Sequence, residues 1–149
     1  EIQVKDPVHV FYLGIDYKEI SLFDVDGKKQ GEIYPDFIST NCETRIIADA
    51  KYKPIKNIGS DDYLQLLAYM LRFDSKAGYY LYPEAEGKKD TTFWLNKGST
   101  FENNVMPRDD ISITKHGLVI PSNVENYDSF VTKIKICEDE FKKVFFRKH

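Results

Sequence analysis

The sequence predicts an α/β protein of the α+β kind, a mixed β-sheet flanked by helices and completed by a C-terminal strand pair and a long helix. Three observations carry this. Strand-like runs surround Asp26-Gly27 and continue to residue 53. A helical pattern over 60–78 leads directly into the aromatic run YYLYP at 79–83. Two further strand-like runs, 91–96 and 110–121, precede an apolar stripe of helical period over 124–147.

KEISLFDV (18–25) alternates Ile20 and Leu22 with polar neighbours, and Asp26-Gly27 follows at once. Asp-Gly between two such runs is a strong hairpin signal, because both residues tolerate the left-handed backbone of a tight turn. GKKQGEIYPDFIST (27–40) is the expected returning strand, and Asn41-Cys42-Glu43 a second turn. TRIIADAKYK (44–53) is a third strand whose apolar centre suits a position covered on both faces. Pro54 lacks a backbone donor and ends it. Ser60 is the expected cap of the next helix, with Asp61 and Asp62 in the first turn, where the helix dipole favours negative charge. Leu64, Leu67, Ala68 and Leu71 fit the apolar template of that helix, and Gly78 is expected to close it. Ser122-Asn123 is the expected cap of the last helix, whose stripe runs through Tyr127, Phe130, Ile134, Cys137, Phe141, Val144 and Phe145.

The chain has 149 residues, 42% hydrophobic and 30% charged, which predicts one ordered domain over 1–149 and excludes wholesale disorder. No apolar run approaches the roughly 18 residues of a membrane span. The opening EIQVKDPV carries no leader and no Met, from which a cytoplasmic fragment lacking an upstream region is expected. Cys42 and Cys137 form neither a disulfide framework nor a zinc motif and read as reduced thiols. Net charge is −3, so any contact with nucleic acid must use a local patch, a bound cation or a neighbouring domain.

The chemistry concentrates in YPDFISTNCETRIIADAKYK. On a strand, side chains two apart share a face, so Asp49 and Lys51 project together and Lys53 follows them. An antiparallel partner strand across the turn at 41–43 sets Asp36 opposite about residue 48 or 49. Two carboxylates and an ammonium then converge. Asp36 and Asp49, with the Ala50 carbonyl as a third ligand, suit a hard cation such as Mg²⁺, for which Mn²⁺ can substitute. Lys51 is placed to serve an attacking water and to neutralise charge on a phosphodiester. The competing explanation is a buried ion pair joining two strands, an expensive arrangement without a purpose.

Pro35-Asp36 followed by Asp49-Ala50-Lys51 resembles the PD-(D/E)XK nuclease signature. DAKYK, then a helix bearing Gln65 and Tyr69 in a Q-x-x-x-Y pattern, then a strand ending Tyr82-Pro83, is similar to the nuclease domain of McrC-type restriction subunits. The resemblance covers roughly 18–83. It implies a restriction-endonuclease-like fold and an Mg²⁺-dependent DNA endonuclease working with an AAA+ GTPase subunit of the McrB kind. The partner would dock on a region preceding the nuclease domain. Many superfamily members carry an acidic residue on a helix before the first core strand, whereas residues 1–17 do not read as a helix.

Gln65 is an expected accessory, near the metal or holding Lys51 or a phosphate oxygen, against the plainer reading of a solvated boundary residue. Lys53 and Lys56 are candidates for DNA-backbone contact. The basic residues of the last helix read as a solvated face, and the Tyr, Phe and Trp94 side chains as core filling. Two other functions remain in view. One is a nuclease of the same fold in repair or recombination; the other is a non-catalytic scaffold for a partner. The purpose of 84–122 is not legible at this level.

Overall fold

The computed structural model describes residues 11–13, 20–39, 45–52, 55–85, 87, 89–95 and 106–146. In chain order it contains β1 (Phe11–Leu13), β2 (Ser21–Val25), β3 (Lys28–Glu32), β4 (Phe37–Ser39), β5 (Ile46–Ala50), a 3-10 turn (Ile55–Asn57), α1 (Ser60–Arg72), β6 (Ala77–Glu84), β7 (Thr91–Leu95), β8 (Arg108–Val119) and α2 (Tyr127–Phe146). The main sheet runs β1-β4-β5-β6-β8-β7, and β2-β3 is a separate hairpin. β5, β6 and β8 are mutually parallel, while β1, β4 and β7 pair antiparallel with their neighbours. This is the mixed sheet with flanking helices that the pattern implies.

Asp26 and Gly27 take positive φ, 52° and 76°, as a two-residue hairpin turn requires, and the Gly27 N–H donates to Asp24 Oδ1 at 2.9 Å. The expected single strand over 27–40 is instead two. Among the described residues β3 pairs only with β2, and the chain leaves that ladder at Ile33-Tyr34-Pro35 before β4 joins the main sheet. Pro35, buried and without an N–H, stands at this break. The expected turn at 41–43, Lys53 and Pro54 lie outside the described residues.

β5 is buried from Ile46 to Asp49, with Ile47 and Ala48 at 0% exposure, as expected of a strand covered on both faces. α1 crosses from β5 to β6 and packs on one face through Leu66, Tyr69 and Met70, which join Ile33, Ile38, Ile47, Ile58, Tyr80 and Ile113 in the core. Burying each large aliphatic side chain here contributes about 1.5–3 kcal/mol.

The expected apolar face of α1 is rotated. Leu64 and Leu71 are 66% and 85% exposed. Apolar residues ring this helix, and the close approach to β6 selects the face. A Cβ on Gly78 would lie 2.6 Å from Met70 Sδ and 3.1 Å from Leu66 Cδ2, so glycine there admits those two side chains. Gly78 therefore does not end the helix. Asp74 does, at φ 54°, with the Ser75 N–H donating to Met70 O and the Asp74 N–H to Leu71 O, a Schellman arrangement.

α2 covers the other face near β8, where Phe141 stacks on His116 at 4.3 Å and Phe145 meets Tyr79 edge-on at 5.1 Å. His116 is buried and lies 2.7 Å (Nδ1) from Asp90 Oδ2 and 2.8 Å (Nε2) from the Phe141 carbonyl. Asn126, not Ser122-Asn123, caps α2: its Oδ1 accepts from the Ser129 N–H at 2.9 Å. Among the described residues no helix is long and apolar enough to cross a membrane.

Candidate active site

Asp36 comes from the bend just before β4. Phe37 is the register partner of Ala48, so the antiparallel ladder carries Asp36 towards Asp49. The exposed Asp36 carboxylate turns back across the strand pair and accepts the Ala50 N–H on Oδ2 at 2.8 Å. That bond fixes the position of one acid relative to the backbone beside the other. It is also the contact the structure gives for Ala50, at its N–H and not at the carbonyl expected as a ligand.

Asp49 projects from the α1 face of β5 and is 7% exposed. Lys51 lies just beyond the strand, where its N–H still continues the ladder to Leu81 O at 2.8 Å. Its ammonium sits between two carboxylates, 2.7 Å from Asp49 Oδ2 and 3.2 Å from Asp62 Oδ1. An isolated ion pair would draw a carboxyl below its ordinary range. Burial, helped by the negative charges of Asp36 and Asp62, outweighs the lysine and leaves the Asp49 carboxyl raised. Burial opposes the charge of Lys51, but its contacts with Asp49 and Asp62 prevail and hold the ammonium above its ordinary value. The Asp49 Oδ2 atom, although in ionic contact, accepts no well-aligned hydrogen bond.

Asp62 was visible in the sequence only as charge favourable to a helix start. The structure gives it two tasks. Gly59 is the N-cap of α1 in place of the expected Ser60, and its N–H donates to Asp62 Oδ2 at 3.0 Å. The other oxygen of the same carboxylate faces Lys51. Helical periodicity could have distinguished Asp62 from Asp61 only with the inward face of α1 already known.

Tyr80 is a second residue the sequence did not reveal. It is the register partner of Asp49 on β6 and is fully buried, and its hydroxyl has no hydrogen-bond partner among the described residues. Burial first, then Asp49 and Asp62, push its phenol well above the ordinary range. The Lys51 ammonium lies 5.8 Å from its ring centroid.

The structure thus brings Asp36, Asp49 and Lys51 together and adds Asp62 and Tyr80. It does not bring Gln65 into contact with them. Gln65 sits one turn along α1 from Asp62, and its Nε2 donates to the Tyr69 hydroxyl at 2.9 Å. Lys56 is exposed on the 3-10 turn, and Lys53 lies outside the described residues.

Mg²⁺ is usually held by one or two carboxylates, the remaining positions going to water and phosphate oxygens. Among the described residues no group of three or more His, Cys, Asp or Glu side chains is placed to hold a metal. Asp36 and Asp49 are the two carboxylates of such a site, and Asp49 Oδ2 already holds one cation, the Lys51 ammonium, at 2.7 Å. A cavity of about 210 Å³ at the ends of β5, β6 and β8 touches the cluster only through Lys51; its other lining residues include Leu81, Pro83, Leu118 and Phe141 of α2.

No curated protein matches the chain. Over residues 11–83 it is similar to the family described as McrBC 5-methylcytosine restriction system component. That span contains every residue of the carboxylate–lysine cluster, and the similarity supports a role for this chain in a restriction system.

Proposed function

We propose that the chain is an Mg²⁺-dependent endonuclease domain that hydrolyses phosphodiester bonds of foreign or modified DNA in a McrBC-like restriction system. The observation that carries this reading is the buried Asp49 carboxylate, set beside Lys51 and across a strand pair from Asp36. A pair kept for stability would be expected to have its buried oxygens fully hydrogen-bonded. The Tyr80 hydroxyl adjoining Asp49 has no hydrogen-bond partner among the described residues.

In this reading Asp36 and Asp49 hold the metal, with the Ala50 carbonyl as a further oxygen. The bound ion would supply Lewis acidity at a phosphoryl oxygen and acidify a water. The protein's own groups do the rest. The hydrogen bond from Ala50 to Asp36 holds that carboxylate against the strand carrying Asp49. Lys51 supplies the positive charge that offsets negative charge developing on the phosphate, and Asp62 orients its ammonium from the helix start. DNA choice and translocation belong to an AAA+ GTPase partner in the cytoplasm.

The test is nicking of supercoiled plasmid with Mg²⁺ or Mn²⁺, by the chain alone and with a reconstituted partner GTPase. Wild type is expected to nick, and Asp49→Ala and Lys51→Ala to lose at least a hundredfold in rate. Equal cleavage by variants and wild type would overturn the proposal. So would a Mn²⁺ calorimetric titration unaffected by Asp36→Ala and Asp49→Ala, the result expected of a scaffold.

A further inference from the structure

Asp49, Tyr80, Lys115 and Thr91 are successive register partners across β5, β6, β8 and β7. Register partners project from the same face of a sheet, so these four residues form one row beneath the first turn of α1. Adjacent strands lie about 4.8 Å apart, which places the Cα of Lys115 roughly 10 Å from that of Asp49.

The environment of Lys115 differs from that of Lys51. Its ammonium lies 5.3 Å from the ring centroid of Tyr63 and 5.2 Å from that of Phe93, between α1 and the edge strand β7. Tyr63 in turn meets Tyr80 edge-on at 5.9 Å, so an unbroken aromatic contact joins this lysine to the carboxylate centre. Lys51 is neutralised by Asp49 and Asp62, whereas no described acidic residue forms an ion pair with Lys115. It is half-buried, and the rings that hold it offer no full counter-charge.

We propose that Lys115 binds a phosphate of the DNA backbone about three nucleotides from the scissile one. The inference rests on the nuclease reading above and extends it to a residue in the stretch whose purpose the sequence did not disclose. Charge and spacing support this contact. Asp36, Asp49 and Asp62 outnumber Lys51 three to one at the centre, so a polyanion approaching that face needs positive charge beyond it. A DNA strand carries one phosphate for about every 3.4 Å of helix axis. A strand crossing from Asp49 towards β7 therefore brings a flanking phosphate within reach of a lysine about 10 Å away. Such a contact gives affinity and register without reading sequence.

The experiment measures binding of the chain to a short DNA duplex in EDTA, where no cleavage occurs, over a range of salt concentrations. Lys115→Gln is expected to weaken binding and to flatten the plot of log K against log salt by about 0.9, the loss of one phosphate contact. Lys115→Arg should retain the wild-type slope. Lys115→Met keeps an apolar stem between the rings and gives the same reading should the glutamine variant not fold. A slope in Lys115→Gln and Lys115→Met equal to wild type overturns the proposal, as does absence of wild-type binding at low salt. Asp49→Asn assayed for cleavage alongside separates the two failures. If it is inactive while the Lys115 slopes are unchanged, only the phosphate contact falls; if it cleaves like wild type, the nuclease reading falls with it.

Discussion

Replacing Lys51 by alanine removes the cation from between Asp49 and Asp62 and leaves three carboxylates facing one another. Breaking a fully buried pair from one side costs about 3–5 kcal/mol. The Lys51 side chain keeps 16% exposure, so solvent relieves part of this and about 2 kcal/mol is expected. For a domain of this length that lowers Tm by about 4–8 °C at pH 7. The pH dependence has a definite sign. Lys51 provides the influences that lower the Asp49 pKa; without it, burial, Asp36 and Asp62 all act upwards. A carboxyl raised on folding contributes stability present below its ordinary value of 3.8 and lost as pH rises through the raised value. The deficit of Lys51→Ala should therefore be full at neutrality and shrink as pH falls towards 4. Thermal unfolding followed by circular dichroism from pH 4 to 8 measures it. Millimolar Mn²⁺ should restore part of the loss by supplying another cation. A variant as stable as wild type at pH 7, or a deficit that does not change with pH, would refute the account of Lys51 as the internal counter-charge.

Tyr80→Phe removes a buried hydroxyl without a partner and should stabilise the fold by about 1 kcal/mol in urea titration. Because the Tyr80 phenol is raised on folding, its contribution is present below the ordinary value of 10.0 and lost as pH rises above it, so the variant should also lose less stability between pH 10 and 11. Leu66→Ala, at 1% exposure, should cost about 3 kcal/mol, whereas Leu71→Ala, at 85% exposure, should stay within about 0.5 kcal/mol of wild type. Comparable losses in those two variants would contradict the inward face assigned to α1. His116→Ala removes the ring that meets both Asp90 and the Phe141 carbonyl and should cost roughly 2 kcal/mol, with faster proteolysis of α2 as the local readout.

The trio of Asp36, Asp49 and Lys51 was legible because its geometry is local. Strand alternation places Asp49 and Lys51 on one face, and a short antiparallel connection brings Asp36 beside them; the Ala50–Asp36 hydrogen bond reflects that placement. The hairpin at Asp26-Gly27 was legible for the same reason, since its turn chemistry is contained in two residues. The inward face of α1 was not. Leu64, Leu66, Leu67, Met70 and Leu71 surround the helix, and the decision lies with Gly78, which makes room for Leu66 and Met70 from another element. Asp62 was hidden by its neighbour, because the helix dipole accounts equally well for Asp61. Tyr80 and Lys115 acquire meaning only through the parallel register of β5, β6 and β8, which no local pattern specifies.

Asp36, Asp49, Lys51 and Asp62 all derive from one continuous stretch, residues 36–62. Their assembly needs only short loop closures, whose entropy cost is small. The polar centre can consequently take shape before α2 docks on the opposite face of the sheet. It also divides the labour of the chain: β7, β8 and the last helix contribute none of these four side chains, so substitutions there are expected to spare the polar centre.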